Sequence, residues 1–203
     1  MCGLPASGKT TTAARLHASL GGRLIRSCDV YADLGISLPD WVRRTKAFTE
    51  RVDEYARLRD AAYVEMARRL DEGLTAGVTP VIVDAVHGEP DKRAAVYAAC
   101  RARGASPLLV WCRCDDVAET ERRVLVRRGR EGQPESEAAD LSIVRHLTGL
   151  WRDPTPDAQG TRAIPILVYD SVTSRISDRL GPPSSLTDLI VAALTPPRVA
   201  SAR

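Results

Sequence analysis

The chain has 203 residues, of which 44% are hydrophobic, and its 29 basic and 26 acidic side chains give a formal net charge of +3. This length suits one globular domain over residues 1–203, and the small charge imbalance neither demands nor excludes a nucleic-acid partner. The sequence has no apolar run long enough to cross a bilayer and no secretory signal pattern. We therefore expect a cytoplasmic protein without a membrane partner.

Five cysteines are present, an odd number, and none of them forms a C-x-x-C pair. This spacing favours neither a disulfide framework nor a zinc site. The expected state is reduced, mostly buried thiols at Cys2, Cys28, Cys100, Cys112 and Cys114.

The chain opens on a glycine-rich loop that fits the pattern G-x-x-x-x-G-K-[ST]. Glycines let such a loop form a concave nest whose amide protons point at phosphate oxygens. Lys9 is expected to reach the β and γ phosphates of ATP, and the Thr10 hydroxyl to ligate Mg²⁺. The predicted nucleotide-binding residues are Gly3, Leu4, Pro5, Ala6, Ser7, Gly8, Lys9, Thr10 and Thr11.

Only Met1 and Cys2 precede this loop, whereas a loop of this type usually follows a buried strand. The sequence therefore predicts a sheet whose first, central strand is truncated. Two explanations are open: a start upstream of Met1, which we favour because the remainder is intact, or a truncated chain. In the second case nucleotide affinity and stability would both suffer, because strands beside a gap have unpaired backbone groups.

After the loop, segments of helical period alternate with short apolar runs that resemble interior strands. The predicted strands are Arg23–Cys28, Pro80–Asp84, Pro107–Cys112 and Ile164–Tyr169. The predicted helices are Lys9–Leu20, Pro39–Leu74 (long or broken), Pro90–Arg103, Val117–Arg128, Glu137–Trp151 and Ser184–Leu194, with a frayed tail over residues 195–203. This alternation is typical of an α/β fold, here a three-layer P-loop NTPase fold with a mostly parallel sheet.

Asp29 lies at the carboxyl end of the predicted strand Arg23–Cys28. Open α/β sheets bind ligands at the carboxyl ends of their strands. A kinase needs a carboxylate there to receive the proton of the acceptor hydroxyl. We therefore predict Asp29 as the catalytic base; a helix-capping or turn role is the alternative, and Asp33 is a weaker rival.

Asp84 ends the apolar run Val81–Asp84, as the aspartate of a Walker B strand does. It is predicted to hold Mg²⁺ through water or to orient a substrate group. A simple turn-forming aspartate is the alternative. His87, which follows closely, is expected to be a loop residue rather than a ligand.

Several arginines lie at the end of the predicted helix Val117–Arg128, before a loop that contains Gly and Pro. We predict a lid over about residues 123–136. Lid arginines can neutralise the charge that develops on a transferred phosphoryl group. Arg123 and Arg127, one helical turn apart, are the predicted catalytic arginines, and a solvated helix face is the alternative.

A second basic group has aromatic neighbours in the sequence. It is a weaker candidate for a nucleic-acid patch. Its residues are Trp41, Arg43, Arg44, Lys46 and Phe48.

With these elements in order, the chain from Gly3 to about Tyr169 resembles the small P-loop kinases grouped with zeta toxins, chloramphenicol phosphotransferases, polynucleotide 5′-hydroxyl kinases and seryl-tRNA kinases. The resemblance implies an ATP and Mg²⁺ site at Gly3–Thr10, a base at Asp29 and lid arginines among residues 123–130.

The family often ends its second apolar strand in D-A-T-N, whereas this chain has Asp84-Ala85-Val86-His87. Such kinases phosphorylate different acceptors, so the resemblance indicates the reaction type better than the acceptor. It implies that the acceptor pocket is built from the segment Tyr31 to Arg59.

The first functional hypothesis is ATP-dependent transfer of the γ-phosphoryl group to a hydroxyl of a small molecule or of a nucleic-acid end. The second is a nucleotide-binding regulatory protein without metabolite kinase activity; the lack of an N-K-x-D motif counts against a GTPase. The third is a remnant that binds no nucleotide. The acceptor and the oligomeric state stay open.

Overall fold

A computed structural model of the chain describes residues 1–36, 52–128 and 141–195. The described helices are α1 Lys9–Leu20, α2 Ser27–Asp33, α3 Val52–Thr75, α4 Pro90–Ala102, α5 Val117–Arg128, α6 Leu141–Leu150 and α7 Ser185–Leu194. The strands are β1 Arg23–Arg26, β2 Val81–Asp84, β3 Leu109–Arg113, β4 Ile166–Asp170 and β5 Arg175–Leu180. Among the described helices, none is both long and apolar enough to span a bilayer.

The strands form two groups that are parallel except at one edge. β1 pairs in parallel with β2, from Arg23 opposite Val81 to Arg26 opposite Asp84. β3 pairs in parallel with β4, and β5 adds to β4 in antiparallel orientation. The structure confirms the mostly parallel sheet that the sequence predicts. Strands β1 and β2 end at the same level, because Arg26 lies opposite Asp84.

Residues 1–3 connect the two groups of strands. The amino group of Met1 donates to the Val83 carbonyl at 2.9 Å, and the Gly3 amide donates to the Val86 carbonyl at 3.0 Å. On the other side, Cys2 exchanges backbone hydrogen bonds with β3, to the Val110 carbonyl and from the Cys112 amide, both at 2.8 Å. This short segment therefore takes the central place between β2 and β3 at their carboxyl ends.

A cavity of about 430 Å³ lies between β2 and β3 toward their amino-terminal ends. Its lining is mainly apolar and includes Leu16, Leu70, Ile82, Leu108 and Ile190. Within the described residues, no strand lies between β2 and β3 at this level.

Helices cover both faces of the sheet, which gives three layers. On one face, α1 and α7 pack against side chains such as Ile82 and Leu167. On the other face, α3, with Met66 and Leu70, packs against Ile25 and Val83. The alternation of Ile82 and Val83 between the two faces follows from the two-residue period of a strand.

The structure corrects part of the predicted boundaries around the first strand. Strand β1 ends at Arg26 because residues 27–33 turn into helix α2, which buries Val30 and Tyr31 in the core. β1 pairs only with β2 in the described part of the chain, so it is an edge strand and not an interior strand. Only Ile25 of its four residues is buried.

The short helix α2 and the strand β5 are absent from the sequence prediction. β5 has the sequence RISDRL, largely exposed, with Ile176 as a half-buried apolar residue. The predicted helical residues 39–51 and 137–140, most of the tail and the basic group around Arg43 lie outside the described residues. The five cysteines are free thiols, and Cys2, Cys100 and Cys112 are buried.

His87 contacts the segment of residues 1–3 that lies between β2 and β3. Its ring nitrogen Nδ1 lies 2.9 Å from the Met1 carbonyl oxygen. Nδ1 must carry the proton in this contact, because a carbonyl oxygen only accepts hydrogen bonds. The backbone amide of His87 donates to the Tyr63 hydroxyl. Burial, with the positive amino group of Met1, lowers the pKa of His87 to about 3. His87 is thus a neutral loop residue at ordinary pH, as the sequence predicts.

Arg93 joins helix α4 to the loops at the ends of β2 and α6. Its side chain is 1% exposed and pairs with Asp157 at 2.6 Å. It also donates to the carbonyl oxygens of His87, Gly88 and Arg152. The buried charge is therefore both paired and hydrogen-bonded, which is the condition for tolerating a charge in the interior.

We expect Arg93→Met to lower the free energy of unfolding by about 3–5 kcal/mol, because it leaves the Asp157 carboxylate without its cation, with the Tyr97 hydroxyl as a remaining donor, and takes a donor from buried carbonyl groups. Urea unfolding of the purified variant measures this loss. The control is Arg103→Met, which removes the exposed ion pair with Asp71 and should change stability little. Equal losses in the two variants would contradict the interpretation.

A second prediction concerns pH. Since the pKa of His87 is about 3 in the folded chain and ordinarily 6.5, only the unfolded chain takes up this proton between these values. Stability should fall as the pH falls below 6.5, by up to about 1.4 kcal/mol per pH unit from this group. Urea unfolding at several pH values should show a shallower fall for His87→Gln than for the wild-type chain. An unchanged slope in His87→Gln would exclude the assignment.

Candidate functional site

The glycine-rich loop is folded tightly against the carboxyl end of the sheet. Gly3 and Gly8 have φ angles of 145° and 86°, and a Cβ atom on Gly3 would lie 2.3 Å from the Cys112 carbonyl oxygen. A Cβ atom on Gly8 would lie 2.7 Å from the Ser171 Cβ. Neither position has room for a side chain, so both glycines are needed for this loop conformation.

Lys9 begins helix α1 and lies against the loop. Its side-chain ammonium donates to the Leu4 carbonyl at 2.8 Å, and the residue is 8% exposed. Thr10 is half-buried and Thr11 is exposed at the same end of α1. The helix begins with its unpaired amides and a fixed cation next to the loop, an arrangement that binds anions.

Asp84 is at the carboxyl end of β2 and is 3% exposed. One of its carboxylate oxygens, Oδ1, is buried without a hydrogen-bond partner among the described residues. An unsatisfied buried carboxylate oxygen is costly, so such an atom indicates a place for a cation or a water molecule. The buried, unpartnered Oδ1 thus fits a metal-directed role for Asp84, which stays a prediction.

Asp29 lies in the first turn of α2, not at the end of a strand as the sequence predicts. Arg26 donates to both of its carboxylate oxygens, from Nε to Oδ2 at 2.7 Å and from Nη2 to Oδ1 at 2.8 Å. Because Arg26 is opposite Asp84 in the β1–β2 pair, both aspartates lie at the carboxyl edge of the sheet. Asp33, the weaker rival, pairs with Arg69 at 2.8 Å.

Cys28 is a neighbour of this ion pair that the sequence argument did not assign to the site. Its sulfur lies 3.7 Å from Oδ1 of Asp29. Burial and the nearby Asp29 charge raise the pKa of Cys28 to about 11, so the thiol keeps its proton and donates it weakly to the carboxylate.

Arg123 is fixed against the glycine-rich loop. It donates from Nη1 to the Ala6 carbonyl at 3.1 Å and to the Ser171 hydroxyl at 2.8 Å. Its Nε donates to Glu119, whose pKa is lowered to about 2 by Arg122 and Arg123. The guanidinium group of Arg123 is thus held against the phosphate loop in this structure, and its role in a lid stays a prediction.

Arg127 lies one turn later in the backbone of α5. Residues 129–136, the rest of the predicted lid, lie outside the described residues. Ser171, which the sequence analysis missed, follows the carboxyl end of β4. The rule that sheets of this type bind ligands at their carboxyl ends could have indicated it.

Comparisons with known proteins concern the family and the fold of the chain. Residues 1–146 match the family model described as AAA domain. No curated protein matches the sequence significantly. A sugar kinase from Janibacter sp. HTCC2649 has a TM-score of 0.52 at 16% identity, over 83% of this chain and 82% of that chain.

Two further solved structures are similar. Kti12 from Chaetomium thermophilum, in complex with ADP-AlF3, has a TM-score of 0.51 at 23% identity over 84% of this chain and 87% of that one. A gluconokinase from Sinorhizobium meliloti 1021 has a TM-score of 0.48 at 14% identity, over 95% and 88%. For the two structures with TM-scores above 0.5, these identities limit the likeness to the fold, which is a P-loop NTPase-like α/β fold with a parallel sheet and covering helices.

Proposed function

The chain belongs to the AAA domain family of P-loop proteins, and on this basis we propose that it is an ATP-dependent kinase that transfers the γ-phosphoryl group to a hydroxyl of an acceptor. The observation that carries this proposal is the folded phosphate loop with Lys9 held at its backbone. The acceptor is a small molecule or a nucleic-acid end. A sugar kinase and an ADP-AlF3 complex of Kti12 among the structural neighbours are compatible with it.

In this proposal the loop amides of Gly3–Thr11 and the ammonium of Lys9 bind the ATP phosphates. The present hydrogen bond from Lys9 to the Leu4 carbonyl holds the cation at the loop before a phosphate arrives. A phosphate oxygen is a stronger acceptor than a backbone carbonyl, so Lys9 exchanges one partner for the other with little reorganisation.

The residues Thr10 and Asp84 fit a Mg²⁺ ion bound together with the nucleotide. Hard oxygen donors suit this ion, and the buried Oδ1 of Asp84 lacks another partner in the described part of the chain. Since the described residues contain no group of three or more His, Cys, Asp or Glu that could hold a metal alone, phosphate and water oxygens would complete its shell. Bound there, Mg²⁺ supplies charge neutralisation for the phosphates.

Asp29 is proposed as the base that orients the acceptor hydroxyl and receives its proton. It lies at the same sheet edge as Asp84, and its carboxylate is held by Arg26 in a defined orientation. Asp33 is less suitable because it is the last residue of α2, one helical turn farther from the end of β1 than Asp29. A fixed carboxylate lowers the entropic cost of aligning the acceptor.

Arg123 and Arg127 are proposed to act on the transferred phosphoryl group. Arg123 already contacts the Ala6 carbonyl of the phosphate loop, so its charge lies beside the nucleotide phosphates. Arg127, on the next turn of α5, would join it from the lid. Positive groups held there stabilise the charge that develops during phosphoryl transfer.

We expect Lys9→Ala to weaken binding of Mg²⁺ with a nonhydrolysable ATP analogue by about tenfold to a hundredfold, because a charge-assisted phosphate contact is lost. Isothermal titration calorimetry measures the affinity. The control is Lys92→Ala, which removes a lysine that pairs with Asp60 away from the loop. Unchanged affinity in Lys9→Ala would exclude the phosphate site.

Asp29→Asn should lower ADP formation by about a hundredfold or more while nucleotide affinity stays unchanged, because the amide cannot accept the proton. The acceptor is found by a screen of polyols, hydroxy acids, nucleosides and oligonucleotides with a 5′-hydroxyl. Asp33→Asn is the matched control and should keep its turnover. Nucleotide binding with no acceptor in the screen would favour the regulatory alternative over the kinase.

A further inference from the structure

Ala6, in the middle of the phosphate loop, has a φ angle of 64°. A residue that carries a side chain rarely adopts this left-handed conformation and keeps it only where its surroundings fix it. The side chain of Ala6 is buried in a small cluster with Val124 and Val144. Its carbonyl oxygen accepts from Nη1 of Arg123 at 3.1 Å. Helix α5 therefore contacts Ala6 at both its side chain and its carbonyl group.

The Ala6 carbonyl shares a peptide plane with the Ser7 amide, and in a trans peptide these two groups point in opposite directions. The Ser7 amide donates to the Leu4 carbonyl at 3.2 Å, to the same oxygen that accepts from the ammonium of Lys9. The Ala6 carbonyl consequently points away from this oxygen, toward Arg123. A peptide plane turned the other way would place a carbonyl oxygen on the side of Lys9, where its partial negative charge would oppose a bound phosphate.

Arg123 is itself held by Ser171 and Glu119. Its Nη1 donates to the Ser171 hydroxyl at 2.8 Å, its Nη2 to the Ser171 carbonyl at 3.3 Å, and its Nε to Glu119 at 2.7 Å. With the bond to Ala6, four of the five guanidinium N–H groups have acceptors within the described residues. Ser171 supplies two of these four acceptors, so it contributes most to the position of the group.

Ser171 is a fixed support for this contact. Its backbone amide donates to the Arg113 carbonyl at 3.0 Å, which ties it to the end of β3. Its side chain lies directly beside the loop, since a Cβ atom on Gly8 would lie 2.7 Å from the Ser171 Cβ. The hydroxyl is therefore an acceptor that needs little reorganisation to bind Arg123.

We propose that Ser171 is a positioning residue of the proposed kinase, which holds Arg123 on the Ala6 carbonyl and so keeps the phosphate loop in the form that binds the nucleotide. This inference rests on the proposed function, in which the loop binds the ATP phosphates. Ser171 acts through Arg123. The guanidinium group keeps one N–H, on Nη2, for a phosphate oxygen.

The test is a calorimetric titration of the full chain with Mg²⁺ and a nonhydrolysable ATP analogue. In Ser171→Ala the affinity should fall by about threefold or more, because a hydrogen bond to a charged donor is lost. The matched control is Ser177→Ala on β5, which removes a hydroxyl that donates to the Val168 carbonyl at 3.3 Å. It should keep the wild-type affinity. Thermal unfolding without nucleotide checks that each variant is folded.

A double-mutant cycle separates positioning through Arg123 from a general structural role. Arg123→Gln should lower the affinity at least as much as Ser171→Ala does. Adding Ser171→Ala to Arg123→Gln should then lower the affinity by less than about twofold, because no guanidinium group is left to position. Arg123→Lys, which keeps the charge and loses the planar set of donors, is a second background and should behave in the same way.

A loss of less than about threefold in Ser171→Ala would overturn this inference and leave the proposed function standing. So would an equal loss from Ser171→Ala in the wild-type and Arg123→Gln backgrounds, because the serine would then act independently of the arginine. Failure of the wild-type chain to bind the nucleotide analogue better than Lys9→Ala does would instead overturn the proposed function, and the inference with it.

Discussion

The hydrogen bonds of residues 1–3 are the constraint on which the rest of the structure depends. The two groups of strands do not pair with each other in the described residues; they are connected through Met1 to Val83, Gly3 to Val86, and Cys2 to Val110 and Cys112. The same short segment leads directly into the phosphate loop. The position of the loop relative to the strand ends is therefore set by backbone hydrogen bonds, which leave little freedom once they are formed.

Because of this constraint, groups from distant parts of the sequence meet at one edge of the sheet. Three cations near that edge have partners already: Lys9 the Leu4 carbonyl, Arg123 the Ala6 carbonyl and Glu119, and Arg26 the Asp29 carboxylate. Two of these partners are backbone carbonyls, which are weaker acceptors than phosphate. The cations are thus already held in place, so a bound anion does not first have to order flexible side chains.

The parts of the site that the sequence predicted are those in which neighbouring residues determine the geometry. The loop residues, helix α1 and Asp84 at the end of an apolar strand follow from local patterns. The parts that were missed depend on tertiary packing. Helix α2 forms because Val30 and Tyr31 pack into the core, and Ser171 meets Arg123 only when β4 lies beside β3. Contacts between residues that are far apart in the sequence produce no periodic pattern from which they could be predicted.

The distinction between local sequence patterns and tertiary packing also separates the nucleotide half of the proposed site from its acceptor half. The nucleotide half that we propose consists mainly of backbone amides and one lysine. Many sequences that share the loop pattern and the fold can therefore build it. The acceptor half that we propose consists of side chains near the end of β1, with Asp29 of α2 held by Arg26. Such side chains change without a change of fold. The identity of the acceptor therefore has to be sought in the charge and geometry of these residues rather than in the names of structural neighbours.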